Sequence, residues 1–452
     1  MTTSLKCIQP DAAGIDIGGS FHFVAVPQGR DVESVRKFGC FTEDLHAIAD
    51  WLNKCHIKMV AMEATGVYWI PLFEVLEARG FQVYLVNARH VKNVSGRKSD
   101  VLDCQWIQQL HSFGLLQPSF QPDQLEGQLR ILMRHRANLV KWCAKHAQLM
   151  QKALTQMNLQ LHNAVSDILG ETGMKIIRAI CAGERDCYKL AQYRDPRCKN
   201  SAETISKSLQ GHYREEILFS LKQALESYDH YQSQLQACNK EIETITQKFD
   251  DKGNGEKIEV KKESKKNNLG FDAQQQMFRM LGVNLAEIPG INSGTILTVI
   301  SEIGTNLDKW PTAKAFASWL GLCPGTKISG GKRLGGKTKS TKNRAAEALR
   351  MAANTLSRSN TALGAFLRRM KARLGPAKAI TATAHKLAKI LYTMINRKMS
   401  YKEGGADYYE QANKERIMKR LRKTADRLGF DLSPKKTFEE LFHNQQEASG
   451  LC

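Results

Sequence analysis

The N-terminal third of the chain alternates short apolar runs with helical patterns. AAGIDIGGSFHFVAVPQGR (12–30) reads as two short strands joined by a Gly-Gly turn, and VRKFGCF (35–41) as a third. TEDLHAIADWLNKCHI (42–57) opens on a Thr N-cap and repeats Leu45, Ile48, Ala49 and Leu52 at helical spacing. KMVAME (58–63) is a fourth strand, GVYWIPLFEVLEARG (66–80) a helix closed by Gly80, and FQVYLVN (81–87) a fifth strand. A loop rich in Arg, Lys and Ser (88–99) leads into a helix, DVLDCQWIQQLHSFG, that begins at Asp100. The order βββαβαβα predicts one mixed α/β domain over residues 1–120.

The pattern then changes. Leu129, Met133, Leu139, Cys143, Ala147, Met150, Leu154, Met157 and Leu161 recur at steps of three, four or their sums, as do Leu221, Leu225, Tyr228, Tyr231, Leu235, Cys238, Ile242 and Ile245. Such spacing suits a coiled-coil seam, so 121–249 is read as a helical oligomerisation segment. A long antiparallel hairpin, an intermolecular arm and two helices within one bundle all satisfy it. The polar, Lys-rich 250–272 lacks periodicity and is read as a flexible linker. A mainly helical domain follows over 273–405, then a basic helix and tail over 406–452.

Composition narrows the partners. The chain has 452 residues, with 66 Lys+Arg against 45 Asp+Glu, a formal charge of +21. That excess favours a polyanion, nucleic acid or an anionic surface. Apolar residues reach 42 %, which excludes global disorder. No apolar run approaches the ~18 residues of a membrane span. The opening MTTSLKCIQPDAAG lacks a signal-peptide core, so secretion is not expected. The 11 Cys form no CxxC pair and point to free thiols in a reducing cytoplasm rather than to disulfides or zinc.

Four acids fall at informative places: Asp16 in the first strand, Glu63 at the end of the fourth, and Asp100 and Asp103 at the start of the last helix of the domain. Positions i and i+3 share a helix face. In an RNase-H-like fold the first and fourth strands are neighbours, which would bring Asp16 beside Glu63. Clustered carboxylates repel unless a cation neutralises them, and hard oxygen donors suit Mg²⁺ or Mn²⁺. Two such ions stabilise the attacking and leaving oxygens of a phosphodiester displacement. Taken singly, each acid is equally an ordinary turn or helix-dipole residue.

Two stretches of the C-terminal half carry further chemistry. In LAEIPGINSGTILTVISEIG (285–304) a short helix meets Pro-Gly-Ile-Asn and a second helix begins at Ser293. This is the pattern of a helix-hairpin-helix, whose backbone N–H groups, here around Gly290 and Asn292, hold a DNA phosphate without reading sequence; an ordinary helical hairpin fits too. In FASWLGLCPGTKISGGKRLGGKTKSTKNRAAEALRMAAN (316–354) a Gly-rich loop carries Lys327, Lys332, Arg333 and Lys337 around Ser329. Ser329 is either a nucleophile that would form a phosphoserine link and conserve the bond for rejoining, or a phosphate-binding hydroxyl in a basic loop.

Together, GIDIG, MEATGVYW, VNARHVK with KSDVLD, IPGI…EIG, FASWLGLCP and SGGKRLGG, in this order, resemble the DEDD transposases of bacterial insertion sequences, typified by the insertion sequence one-ten family, and the related Piv-type DNA invertases. The resemblance spans nearly the whole chain. It implies a RuvC-like α/β nuclease domain with Asp16, Glu63, Asp100 and Asp103 as metal-binding catalytic acids, a coiled-coil oligomerisation segment, and a C-terminal domain in which Ser329 is the covalent nucleophile. It further implies donor and target DNA as partners, guidance by a non-coding bridge RNA of the element, Mg²⁺ or Mn²⁺ as cofactor, and dimers that pair into tetramers in a bacterial cytoplasm, at the nucleoid. Many relatives carry Ser-Ser before Gly-Gly. Here Ile328 precedes Ser329, which leaves one Ser in that motif.

Two other classes fit parts of the chain. GIDIGGS also opens the phosphate-binding hairpin of actin-like and sugar-kinase ATPases, but the second Asp-Gly loop and adenosine-binding Gly pair of that class are not found. A non-enzymatic basic coiled-coil protein would explain the charge and give the four acids no role.

Overall fold

The computed structural model describes residues 7–64, 66–87, 100–263, 268–339, 341 and 343–432, with the backbone of Lys327 and Arg333. It divides into two compact units, residues 1–121 and 122–452.

The first unit is built on a five-stranded sheet: β1 Ala12–Ile17, β2 His22–Ala25, β3 Val35–Phe38, β4 Met59–Glu63 and β5 Gln82–Val86, in the order β3-β2-β1-β4-β5. β1, β2 and β3 are antiparallel neighbours, whereas β4 and β5 run parallel to β1. Period-two alternation sorts the residues onto two faces. Ala13, Ile15, Ile17, Val60, Met62 and Leu85 pack against α1 (Thr42–Lys54) and α2 (Trp69–Ala78). The opposite face, with Ala61 and Val86, is covered by Ile107 of α3 (Asp100–Ser112). α1 starts one residue away from its expected cap. Thr42 is already helical, and Asp44 reaches back to accept the Phe41 N–H at 3.0 Å.

In the second unit α4 (Gln124–Gln156) and α9 (Glu215–Gln247) are both 33 residues long and pack side by side. They run antiparallel: the Arg136 Nε donates to Asn239 Oδ1 at 2.8 Å, whereas further along Trp142 meets Tyr231 at 5.2 Å between ring centroids. Leu129, Met133, Leu139, Cys143, Leu235, Cys238 and Ile242 of the anticipated seams are buried. Between the long helices, four short ones, α5 (Leu161–Ala164), α6 (Glu171–Cys181), α7 (Cys187–Ala191) and α8 (Ala202–Ser208), close one core with their ends.

The chain then follows α10 (Ala273–Leu281) rather than running free over 252–263. The Lys252 N–H donates to the Arg279 carbonyl at 2.7 Å, the Ile258 N–H to Gln275 Oε1 at 3.0 Å, and the Lys261 N–H to Gln274 Oε1 at 2.9 Å. A segment read as a flexible linker is thus tied down by side-chain amides. The rest is α11 (Ser293–Ile303), α12 (Ala313–Trp319), a hairpin of β6 (Lys327–Ser329) and β7 (Lys332–Gly335), then α13 (Arg344–Thr355), α14 (Ala362–Leu374), α15 (Pro376–Arg397) and α16 (Gly405–Leu428). The helix expected at 414–428 is the far part of α16, whose one fully buried residue is Ala406. No helix among the described residues is long and apolar enough to cross a membrane.

Candidate active site

The parallel register of β1 and β4 ends on the pair Ile15 and Met62, and Asp16 and Glu63 each stand one residue beyond it. Neighbouring strands lie ~4.8 Å apart. Ile15 and Met62 point into the α1–α2 core, so Asp16 and Glu63 point to the other face, toward α3. Both are half-buried there.

Gly14 fixes the approach of α3. It lies on the same face as Asp16, and a Cβ on it would meet the Gln108 backbone N at 2.2 Å and the Cys104 carbonyl at 2.5 Å. The Gln108 amide also donates to the Ala12 carbonyl at 3.2 Å. Residues 108 to 104 of the helix therefore pass residues 12 to 14 of the strand, and the helix runs antiparallel to β1. Continuing that course brings the first turn of α3, with Asp100 and Asp103, toward the Asp16 end. Cys104 registers this: burial pushes its thiol up to about 12, and the negative charges of Asp16 and then Asp103 push the same way.

Asp100 is exposed and Asp103 half-buried, both in the first turn, where the helix dipole favours acids. The donor set is all hard oxygen and matches a divalent cation of the Mg²⁺ type. Among the described residues, however, no group of three or more His, Cys, Asp or Glu side chains is closed into a ligand cluster. The basic segment 88–99 that leads into α3 lies outside the described residues.

In the second unit Ser329 is exposed at the tip of the β6–β7 hairpin, paired with Lys332. Gly330 and Gly331 form the two-residue turn with φ of +53° and +77°, the left-handed pair a tight hairpin demands. The expected Gly-rich loop is therefore a β-hairpin. Its flanking Lys332 and Lys337 are exposed, while Lys327 pairs with Gly335 and Arg333 with Ile328 along the ladder.

The Pro-Gly-Ile-Asn turn also departs from the expectation. Its first helix is a single 3₁₀ turn, Leu285–Glu287, and Gly290 takes φ +81°. Asn292 caps α11, accepting the Thr295 N–H at 2.9 Å. The next N–H, of Ser293, goes to Glu263 Oε1 at 2.8 Å, as does the Ser293 hydroxyl at 2.8 Å. One of the donors available for a phosphate is thus held by a carboxylate of the chain itself. Three contributors fall outside the sequence motifs: Gly14, whose one signal is its place two residues before Asp16; Cys104, next to Asp103; and Glu263.

Residues 13–159 match a transposase family model, the DEDD type of the IS110 family, and residues 283–368 match the model for transposases of the IS116/IS110/IS902 family. No curated protein matches the chain. With both models matched in order, the molecule is a DNA transposase, an enzyme. It belongs to the IS110 family of insertion-sequence transposases. This sets aside both the ATPase reading and that of a basic protein without catalysis. A family of the DEDD type points to divalent-metal dependence, and a transposase acts on DNA.

Proposed function

We propose that this transposase cuts and rejoins DNA with a RuvC-like carboxylate site, Asp16, Glu63, Asp100 and Asp103, and with Ser329 as covalent nucleophile. The observation that carries the reading is the placement of Asp16 and Glu63 side by side on the face that α3 covers. The strand order β3-β2-β1-β4-β5, antiparallel then parallel, supports the RNase-H-like reading. Bound divalent cations, Mg²⁺ or Mn²⁺, would supply neutralisation of the developing charge on the scissile phosphate's oxygens. The four acids would hold them, Asp100 and Asp103 from the first turn of α3.

Ser329 suits a nucleophile that must reach a phosphate. It projects beside a two-residue turn with no neighbouring bulk, since both Gly330 and Gly331 have open space where a Cβ would be. The Ser329 oxygen would bond to phosphorus as the bond to one sugar oxygen breaks, that sugar leaving with the proton as a free hydroxyl. Lys327, Lys332, Arg333 and Lys337 would hold the flanking phosphates, and the Gly290–Asn292 turn a further one. The long α4–α9 pair is read as the coiled-coil arm that joins copies into dimers and tetramers. Guidance by a structured RNA of the element would leave the protein to read backbone and shape.

The test incubates the full chain with its element's ends, Mg²⁺ and the element's non-coding RNA, and resolves the products on a denaturing gel. A covalent protein–DNA adduct is expected. It should vanish in Ser329→Ala, and in Asp16→Asn cleavage should fall by more than a hundredfold. An adduct that persists in Ser329→Ala removes the serine role, and full cleavage by Asp16→Asn removes the metal site.

A further inference from the structure

A cavity of about 500 Å³ opens between α14, α15 and the turn at 399–402. That size falls in the ~300–1,000 Å³ range of ligand sites. Phe366 and Ile390 give it apolar walls, and His385, Lys386, Lys389 and Lys402 give it positive charge. Among the described residues no carboxylate lines it. The adjacent acid, Glu403, is committed elsewhere: its oxygens accept the Ala362 N–H at 2.9 Å, the Gly405 N–H at 2.8 Å and the Tyr401 hydroxyl at 3.0 Å.

Lys386 is held rather than mobile. Its ammonium lies over the Phe366 ring at 4.7 Å and over the Tyr409 ring at 5.2 Å, where Arg369 also stacks at 5.6 Å. Burial and the nearby Arg416 and Arg369 push its pKa down, against the pull of Glu403. A cationic pocket with an aromatic wall and no internal counter-charge lacks an anion that also carries a flat apolar face.

We infer that this cavity takes an unpaired nucleotide of a nucleic-acid strand, its base against Phe366 and Ile390 and its phosphates on Lys389 and Lys402. The inference rests on the transposase reading above. A base inside a duplex offers no free face, so the ligand is a single-stranded or flipped segment. Single-stranded DNA and RNA share this chemistry, and the probes below separate them.

The experiment is fluorescence anisotropy of the full chain with labelled oligo-dT, oligo-U and a blunt DNA duplex. The double variant Lys389→Ala/Lys402→Ala should weaken binding of oligo-dT, oligo-U or both about tenfold, and leave duplex binding within about twofold. Phe366→Leu should weaken the same single strand while keeping every charge. A charge-matched control on α16, Lys419→Ala/Lys423→Ala, should not discriminate between single strand and duplex. Equal loss on single strand and duplex in the pocket variant, or no loss on either, overturns the inference. So does a change in self-association by sedimentation with single-strand binding intact, which would make the cavity a contact between copies. A wild-type chain that binds no probe and cuts no DNA sinks the transposase reading itself. Binding and cutting with unaltered pocket variants sinks this inference alone.

Discussion

Gly14 passes so close beneath Gln108 that a methyl group on it would meet the Gln108 backbone nitrogen at 2.2 Å. Neither backbone can yield cheaply, because β1 is hydrogen-bonded on both sides and α3 is anchored by Ile107, which is fully buried. Gly14→Ala should therefore lift α3 off the sheet. Overpacking of this kind costs about 1–3 kcal/mol. A lower melting temperature is expected, with a larger proportional loss of cleavage, because the same displacement moves Asp100 and Asp103 relative to Asp16. Unchanged melting would show that the helix seats elsewhere.

The carboxylate site makes a prediction about metal that needs no DNA. In the proposed site a divalent cation would be held by half-buried Asp16 and Glu63 on adjacent strands. Mn²⁺ should raise the melting temperature of the wild type, by about 2.7 kcal/mol of stabilisation at a hundredfold excess over Kd, and chelation should reverse it. Asp16→Asn should lose the shift yet melt no lower than wild type without metal. A Mn²⁺ shift retained in both Asp16→Asn and Glu63→Gln would place the ion elsewhere.

His111 gives the first unit an acid-sensitive core. Its side chain is fully buried against Tyr84, at 4.8 Å between ring centroids, and neither ring nitrogen has a partner among the described residues. Burial lowers its pKa to about 4. An exposed imidazole titrates near ~6.5, so between these values the unfolded chain binds the extra proton. The associated stability is complete above pH ~6.5 and declines as the pH falls toward 4, by roughly 3 kcal/mol. His111→Leu should flatten that part of a denaturation-against-pH curve. It should not abolish it, because burial also lowers the pKa of His22. An identical slope in the variant would refute the assignment.

What the residues alone disclosed follows from how local each signal is. The strands that carry Asp16 and Glu63 are legible as short apolar runs, which are local patterns, whereas the β1–β4 adjacency is expected only from the strand order of an RNase-H-like fold. The two long helices follow their apolar seams for the same reason, although α4 ends at Gln156, before the Met157 and Leu161 that continue its pattern. The β6–β7 hairpin reads as loop in the sequence because its strands, KIS and KRLG, carry Lys and Arg where a half-buried strand would carry apolar side chains. The tether of 252–263 is not legible because its partners are the side-chain amides of Gln274 and Gln275 and the backbone carbonyl of Arg279, none of which carries a periodic signature. The cavity beside Lys386 is assembled from two helices and a turn, and exists only in three dimensions.

Glu302 joins the long helix pair to the C-terminal domain. Its carboxylate takes two parallel bonds from Arg134, both 2.8 Å, while Arg130 donates to the carbonyls of Ser301 and Glu302 at 3.1 and 2.9 Å. The two arginines therefore neutralise the C-terminal end of α11 as well as the acid. Glu302 is 8 % exposed, so Glu302→Ala would strand buried positive charge, at a cost of about 3 kcal/mol. The Arg134 side chain is 45 % exposed, and Arg134→Ala should cost clearly less. A double-mutant cycle by urea denaturation measures the coupling. Equal single-variant losses with no coupling would show that the residues act through separate contacts.

Glu263 offers the sharpest contrast between a structural cap and a bound phosphate. Its Oε1 accepts three bonds: the Ser293 N–H at 2.8 Å, the Ser293 hydroxyl at 2.8 Å and the Gln274 amide at 3.1 Å. Ser293 is buried, so Glu263→Ala leaves two donors unpaired, at about 1–3 kcal/mol for each. The first consequence expected is local. Residues 252–263 should detach from α10, and trypsin should cleave at Lys257, Lys261 and Lys262 faster than in the wild type. The second concerns DNA: with the competing carboxylate gone, the start of α11 gains an open donor for a backbone phosphate. Duplex affinity should rise severalfold, and the salt dependence of binding should steepen by up to about one phosphate contact. Faster proteolysis with unchanged duplex affinity would make Glu263 a cap alone, and unchanged proteolysis would mean that the amides of Gln274 and Gln275 suffice to hold the segment.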